Sequence, residues 1–406
     1  MTQRVVVLLG VLLVGVAPGA ADVGLTFHPA HWVADDSALR PRSPFHIFEF
    51  QAMAFSSPRD GWIVGRRFAL HLRGDALEVA FLGSSDGWLT GVAVSPGGSV
   101  WMGGFGFPDD RVLSDRTGVW RDEDVAPWVG TDFVVSRLLA FAGDRVIAAV
   151  SPSGIHPARS DASRGVEVGP AQYLEFDGTS WRRIELPSDG SSTWHLASSC
   201  QPAVGPAWVV GHERPPLGGG VRPLVLRFDG ATWTPVAAPI AGRSGMAARI
   251  HCAADGQVLL AAATDDNWRE APPPETQLWR YDGAWHRLDL PPQFAGASFV
   301  GPTGPAVDDF WMAVNSKDTA GGCGARFLHF RAGAWEIVDG PSLPAQRCYT
   351  VTDLFLGAAD EGWAIGNTHG GGPLRGVILR YRDGAWRVAN WDWTLWDQPL
   401  TSILFD

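Results

Sequence analysis

Apolar and polar residues alternate along most of this chain in short runs that end at Gly, Pro, Asp or Asn. Alternation with a period of two is the pattern of a β-strand that buries one face. One combination returns five times: an apolar run, a turn containing Gly, and a Trp that opens a second run. The five copies span residues 174–181, 226–233, 278–285, 328–335 and 379–386, with a period of roughly 50 residues. Each copy predicts a β-hairpin.

Two further apolar runs precede each hairpin and complete a unit of four strands. They include Trp208-Val-Val-Gly211 and Trp363-Ala-Ile-Gly366, the latter preceded by the run Val351–Leu356. Weaker versions at 60–65 and 100–104 extend the repeat toward the N-terminus and give seven units. Because a four-stranded unit cannot bury both faces alone, such units stack radially around an axis. The sequence therefore predicts an all-β fold, a single β-propeller of about seven four-stranded antiparallel blades.

The sequence permits two schemes for closing this ring. Residues 400–406 have the pattern of one more first strand, which makes eight first-strand phrases for seven complete units. Either this segment takes part in closing a seven-bladed ring, or it belongs to an eighth, partial blade that Val23–Val33 completes. The two schemes differ in blade count and agree on the fold.

The start of the chain has the three parts of a secretory signal. A positive charge within Met1–Arg4 leads into the apolar run Val5–Val16, and small residues follow up to Ala21. We therefore expect a signal peptide at 1–21, a lead-in segment at 22–44 and the propeller at 45–406, with cleavage near Ala21. The alternative is an uncleaved N-terminal anchor. Cleavage predicts a secreted or periplasmic protein with no membrane attachment in its mature form.

Bulk properties narrow the class of partner. The chain is 46% hydrophobic and 18% charged, which indicates a globular protein. Its formal net charge of −11 argues against nucleic acid, because binding to phosphates needs clustered Lys and Arg. We expect a monomer without a cofactor, whose partner is an extracellular glycan or protein.

Four cysteines form an even number in a chain predicted to reach an oxidising compartment. We expect a bridge between Cys323, in a loop between the second and third strands, and Cys348, in the following connection on the same face. Cys200 and Cys252 lie near the ends of adjacent first strands, so a second bridge depends on how closely those strands approach. The long spacings are unlike those of CxxC metal pairs, and no metal site is predicted.

The repeat resembles that of secreted sialidase-like and photosystem-assembly-factor-like propellers, and more distantly that of kelch blades. The resemblance rests on strands such as Gly362–Gly366 and on turns such as Asp177-Gly-Thr-Ser-Trp181, which resembles a degenerate Asp-box. It covers the chain from about Phe45 to Trp386. The resemblance implies the propeller fold more than any one function, because propellers support binding, scaffolding and several unrelated chemistries.

Sialidase-type hydrolysis would require a tyrosine nucleophile with an acidic partner. The chain has four tyrosines. Tyr173, Tyr281 and Tyr381 are expected at equivalent packing positions in strands. Tyr349 is then the sole candidate nucleophile, and no acidic partner for it can be recognised in the sequence.

Functional residues in repeat proteins concentrate where the repeat is broken. The breaks here are loops between second and third strands, which emerge on the same face as the connections between blades. We call this the loop-bearing face. Its candidate ligand-binding residues are Trp268, His212, Glu213 and His369. Four histidines, His156, His212, His251 and His369, suggest a metal or acid–base cluster. The simpler interpretation is that they are solvated histidines on the surface.

The Trp-rich segment, residues 390–397, is the one aromatic cluster that departs from the repeat. It contains Trp391, Trp393 and Trp396 beside two aspartates. Such rings form a platform for sugars or, alternatively, pack a closing blade. We therefore expect an exported binding or interaction propeller whose ligand, a carbohydrate among the candidates, meets the loop-bearing face. A carbohydrate-active hydrolase or lyase is the second interpretation and an assembly scaffold the third, and no catalytic residue is assigned.

Overall fold

The computed structural model describes a chain built almost entirely of β-strands. The described residues are 26–28, 50–65, 68–82, 88–105, 112–129, 133–152, 172–186, 193–203, 205–215, 220–240, 245–264, 276–295, 297–315, 324–343, 348–357, 361–369 and 376–389. Their helical segments are one short α-helix, α1 (Ala126–Val129), and one 3-10 turn (Pro292–Phe294). None of these has the length and apolar character needed to span a bilayer.

The strands form seven sheets in chain order, and each sheet is one blade. Blade 1 comprises β2 (Phe50–Ser57), β3 (Asp60–Gly65), β4 (Phe68–Arg73) and β5 (Ala76–Leu82). Blade 2 comprises β6 (Trp88–Val94), β7 (Val100–Phe105), β8 (Val112–Ser114) and β9 (Arg121–Glu123). Blade 3 comprises β10 (Phe133–Ala140), β11 (Val146–Pro152), β12 (Gln172–Phe176) and β13 (Trp181–Ile184). Blade 4 comprises β14 (Thr193–Cys200), β15 (Ala207–Arg214), β16 (Arg222–Phe228) and β17 (Trp233–Pro235).

The remaining three blades repeat the same plan. Blade 5 comprises β18 (Gly245–Cys252), β19 (Val258–Thr264), β20 (Thr276–Tyr281) and β21 (Trp285–Leu288). Blade 6 comprises β22 (Ser298–Ala306), β23 (Asp309–Asn315), β24 (Ala325–Arg331) and β25 (Ala334–Asp339). Blade 7 comprises β26 (Cys348–Leu356), β27 (Gly362–His369), β28 (Gly376–Arg382) and β29 (Ala385–Val388).

The first strands of the blades form a closed ring around a central channel. Each first strand contacts the first strand of the next blade, and β26 contacts β2 to complete the circle. Within every blade the four strands pair antiparallel in sequence order. The predicted seven-bladed propeller is therefore confirmed.

The alternative scheme, in which Val23–Val33 completes an eighth blade, is wrong, because the described part of this segment belongs to blade 1. Within Val23–Val33, β1 (Thr26–His28) pairs in parallel with β5, the outermost strand of blade 1, and Thr26 lies opposite Ala76. That outer edge would otherwise be free to pair with another chain. The C-terminal segment 400–406 and the predicted signal peptide 1–21 lie outside the described residues.

Within the described residues, side-chain hydrogen bonds and apolar packing join blade 7 to blade 1. The Asn367 amide accepts a hydrogen bond from the Phe50 N–H at 2.9 Å and donates one to the Phe50 carbonyl at 3.0 Å. The Trp363 indole N–H donates to the carbonyl of Pro58 at 2.7 Å. An apolar cluster that includes Ile63, Leu70, Trp363 and Ile365 fills the space between these two blades.

The Gly of each hairpin has a conformational reason for its place in the repeat. In all seven blades the turn between the third and fourth strands carries a Gly with positive φ, between 62° and 116°, which other residues adopt at a cost. These residues are Gly74, Gly118, Gly178, Gly230, Gly283, Gly333 and Gly384. At Asp177 the carboxylate accepts hydrogen bonds from the N–H groups of Thr179 and Ser180, which lowers its pKa to about 2.

The tryptophans of the repeat are mostly core residues, as predicted. Those of the second strands, Trp62, Trp101, Trp208, Trp311 and Trp363, are buried between neighbouring blades. Hairpin residues Trp181 and Trp386 are buried as well. Trp233, Trp285 and Trp335 are only partly buried, because they pack at the outer rim of their blades. A cavity left by Trp285 would therefore be smaller than full burial implies.

Of the two predicted disulfides, the structure describes the geometry of Cys200–Cys252. Cys200 and Cys252 are joined, with an S–S distance of 2.04 Å, and link the ends of the first strands of blades 4 and 5. Cys348 is also disulfide-bonded. Its expected partner, Cys323, lies outside the described residues, so the Cys323–Cys348 pairing stays a prediction.

Candidate functional site

The register of the strands defines the loop-bearing face. Thr193, which opens the first strand of blade 4, lies opposite Arg214, which ends the second strand. Cys348 and His369 are paired in the same way in blade 7. The entry to each blade and the loop between its second and third strands therefore emerge together. One mouth of the central channel opens on this face.

Few of the predicted site residues lie in the described part of this face. Trp268, Trp391, Trp393 and Trp396 lie outside the described residues. His369 is described through its backbone alone, as the last residue of β27. Their part in a site remains a prediction.

His212 and Glu213 lie on strand β15 instead of in the expected loop. Adjacent strand residues point to opposite faces, so these two side chains do not converge. The His212 ring stacks on that of His195, with ring centroids 4.7 Å apart. Burial, followed by the nearby His195 and Arg214, lowers the pKa of His212 to about 4, so the ring is neutral at pH 7.

The histidines considered as a cluster are not brought together where they are described. His251 lies near the end of β18, paired with Leu259, at the face opposite His212. Burial lowers the pKa of His251 to about 4, against an opposing hydrogen bond to the backbone of Gly304. Among the described residues, no group of three His, Cys, Asp or Glu side chains is placed to hold a metal ion.

These two imidazoles predict that acid destabilises the fold. A histidine in the unfolded chain has a pKa near 6.5. Between about pH 6.5 and pH 4 the unfolded chain therefore binds more protons than the folded one. Stability is then full above about pH 6.5 and falls as the pH drops toward 4. We expect each of His212 and His251 to contribute roughly 1–2 kcal/mol to the loss between pH 7 and pH 5.

Urea unfolding at pH 7 and pH 5 measures this loss, with the His212→Gln and His251→Gln variants beside the wild type. Each variant should show a smaller loss than the wild type. A wild-type free energy of unfolding that is equal at the two pH values would contradict the prediction.

Tyr349 does not fit the role of a nucleophile. Its side chain is 2% exposed and packs in the apolar cluster between blades 6 and 7. Burial raises its pKa to about 12, opposite to the activation that a nucleophile needs. Tyr281 and Tyr381 do occupy the equivalent third-strand position, but Tyr173 lies three residues earlier in its strand, and its hydroxyl donates to the Trp194 carbonyl at 2.5 Å.

A bulge at the same place in every first strand shapes the central channel. In all seven blades the pairing between the first and second strands shifts by at least one residue. In blade 4 the residue opposite the shift is Gly211, where a Cβ would lie 1.8 Å from the His195 carbonyl oxygen. This close approach explains why the phrase Trp-x-x-Gly recurs. The residues just after the bulge are Ala52, Gly91, Arg137, Ser198, Arg249, Thr303 and Asp353.

Two of these residues form an ion pair across the channel. The Arg249 guanidinium of blade 5 lies 3.6 Å from the Asp353 carboxylate of blade 7 and donates to the Thr352 carbonyl at 3.3 Å. Because blade 6 separates the two, the arginine side chain crosses the channel. The other oxygen of Asp353 accepts the Met53 N–H at 3.2 Å, which ties blade 1 to blade 7.

Arg137 of blade 3 occupies the equivalent position and lies close enough to Arg249 and Asp353 to interact with their charges. Burial, followed by the positive charge of Arg249, lowers the pKa of the Arg137 guanidinium, while Asp353 opposes this shift. The structure gives Arg137 neither a hydrogen bond nor an ion pair within the described part of the chain. Its side chain is only partly buried, so solvent in the channel can reach it. A guanidinium in this setting can bind a planar anion such as a carboxylate through paired N–H groups.

One feature of the sequence indicates this trio, although it does not lie in an irregular loop. Arg137, Arg249 and Asp353 occupy the same position of the repeat, where other blades carry small residues. A charged residue at a position that faces the axis is a departure from the repeat, like an insertion. Recognising it required the bulge, which sequence alone does not locate.

Comparisons with known proteins find similar folds among solved structures. No family model matches the chain, and no curated protein matches it. Among solved structures, YCF48 bound to a D1 peptide is 14% identical, with a TM-score of 0.51, over 84% of this chain and 96% of that one. Ulvan lyase, a polysaccharide lyase, is 10% identical, with a TM-score of 0.55, over 87% and 98%.

A third similar structure is the propeller domain of the trilobed protease from Pyrococcus furiosus, which has an open velcro topology. It is 7% identical, with a TM-score of 0.52, over 85% of this chain and 98% of that domain. At such low identities the likeness establishes the fold alone. The structure and its neighbours agree that this chain is a β-propeller.

Proposed function

We propose that this protein is an exported binding propeller that recognises a glycan on its loop-bearing face. The observation that carries the proposal is convergence: the loops between second and third strands, the blade connections and one mouth of the channel share this face. The Trp-rich segment begins just after Ala389, where blade 7 ends on the same face. Trp rings flanked by carboxylates suit the stacked faces and hydroxyls of sugars.

Export is supported by the predicted signal peptide and by the Cys200–Cys252 disulfide, because such bonds persist in oxidising compartments. A secreted or periplasmic location follows. Similar propellers accept different ligands, since one was solved with a peptide and one is a polysaccharide lyase. Binding is favoured over catalysis here because the one tyrosine considered as a nucleophile is buried.

The Trp393→Ala variant tests this proposal. If Trp393 stacks on a sugar, the substitution should weaken glycan binding about five- to tenfold, since stacking on an aromatic ring is worth roughly 1–1.5 kcal/mol. Binding on a glycan array, followed by titration calorimetry with the best sugar, measures the loss. The free energy of unfolding should change little.

Trp285→Ala is the matched control, because Trp285 lies beside the Gly283 turn at the opposite face. It should lower stability and leave glycan affinity unchanged. Absence of any wild-type binding on the array would refute the proposal. Unfolding by Trp393→Ala as severe as that by Trp285→Ala would instead assign the Trp-rich segment to a closing blade.

A further inference from the structure

The centre of the channel carries more positive than negative charge in the described part of the chain. Two arginines, Arg137 and Arg249, and one aspartate, Asp353, occupy the same position of the repeat around the channel, in a protein whose formal net charge is −11. Asp353 is already engaged by Arg249 and by the Met53 N–H. No described carboxylate is paired with Arg137. An anion entering the channel would therefore find one guanidinium whose hydrogen-bonding capacity is unused.

The position of Arg137 limits what shape of anion can reach it. Arg137 is the fifth residue of β10, counted from the loop-bearing face, and so lies about 13 Å along the strand at 3.3 Å per residue. Arg249 spans the lumen at the same level. A polymer that lies across the mouth of the channel cannot place a side group as deep as Arg137. A polymer that enters the channel by one end can, if its terminal residue carries the charge.

We propose that the channel binds the carboxylate of a terminal uronic acid, with Arg137 as its principal partner and the Arg249–Asp353 pair as the wall against which it rests. This deepens the proposed function and rests on it, because the remainder of the glycan would lie on the loop-bearing face. The planar fork of a guanidinium matches the two oxygens of a carboxylate. The sequence that follows Ala389, where blade 7 ends on this face, favours a sugar acid over a peptide terminus, because its three tryptophans suit the stacked faces of sugars.

The test uses two ligands that differ in the charge of their carboxyl groups, with only methyl groups added in the neutral one, and needs no variant to begin. Titration calorimetry compares the trimer of galacturonic acid with its methyl ester, on the full mature protein. The acid should bind at least about tenfold more tightly than the ester, and its affinity should fall as salt is raised. An ester that binds as tightly as the acid would overturn the proposal.

The Arg137→Gln variant then locates the carboxylate. It should weaken binding of the acid trimer at least about tenfold and leave the neutral galactose trimer unaffected. Arg137→Lys, which keeps the charge without the fork, should recover part of the affinity. Arg182→Gln is the matched control, because Arg182 pairs with Glu175 at the outer side of blade 3. Should the Gln variant fail to fold, the Lys variant and the ester comparison still decide the matter.

The outcomes separate this inference from the function on which it rests. Equal binding of the acid and neutral trimers retains a glycan-binding face and overturns the channel site. Binding of neither trimer, with Arg137-dependent binding of a free peptide such as trialanine, overturns the sugar acid and assigns the channel to a peptide carboxylate. Full affinity of Arg137→Gln for the acid trimer overturns the proposal directly.

Discussion

Replacing Trp363 by alanine is expected to lower the free energy of unfolding by about 4 kcal/mol. The side chain is 0% exposed and lies between blades 7 and 1. Its ring stacks on Phe55 of blade 1, and the Arg380 guanidinium lies 4.9 Å from the ring centroid. Truncation would leave a cavity and would also remove the hydrogen bond to Pro58. The effect should be large because blades 7 and 1 are neighbours without a connecting loop.

Equilibrium unfolding in urea, followed by tryptophan fluorescence and circular dichroism, measures this change. The matched control is Trp128→Ala, since Trp128 on α1 is 43% exposed and its loss should cost less than about 1 kcal/mol. Equal destabilisation by the two substitutions would show that burial at the joint between blades 7 and 1 does not control stability.

Arg380→Met should cost about 3 kcal/mol. Arg380 is 5% exposed and pairs with Glu361 of its own blade and with Asp75 of blade 1. Removing the guanidinium leaves Glu361 buried with one remaining partner, the exposed Arg59 at 3.5 Å. A buried carboxylate that has lost its counterion is costly, whereas the pair itself adds little net stability.

The same unfolding experiment applies, with Arg326→Met as the control. Arg326 lies 3.4 Å from Asp339, and both side chains are largely exposed, so its substitution should change stability by less than about 1 kcal/mol. A double variant that also replaces Glu361 by Gln should recover part of the loss. No recovery would show that Arg380 acts through packing on Trp363 instead of through charge.

The repeat made the fold predictable because one physical demand recurs seven times. Each hairpin needs a Gly at positive φ in its turn, as at Gly178, and five of the seven blades bury a Trp ring in the second strand, as at Trp101. These demands leave a periodic trace in the sequence. The addition of β1 to the outer edge of blade 1 left no such trace, because β1 is three residues long and pairs in parallel.

The site was less predictable, because its geometry depends on contacts between blades that are far apart in the chain. Arg249 and Asp353 are 3.6 Å apart in space, yet a complete blade separates them in sequence. Departures from the repeat in loops are easier to recognise in a sequence, and His212 and Glu213 are predicted as site residues on that ground. Both proved to be strand residues on opposite faces, since β15 continues for eight residues to Arg214.

The unbroken order of strands within each blade bears on how such a chain can change over generations. A stretch of gene that encodes one repeat encodes one whole sheet, from innermost to outermost strand. Duplication or deletion of that stretch would add or remove a sheet with all its internal hydrogen bonds, and no strand would be left without neighbours. What would have to be rebuilt is the contact between the first and last sheets, where Asn367, Trp363 and Arg380 reach Phe50, Pro58 and Asp75. Those six positions are therefore where we expect the number of blades to be decided.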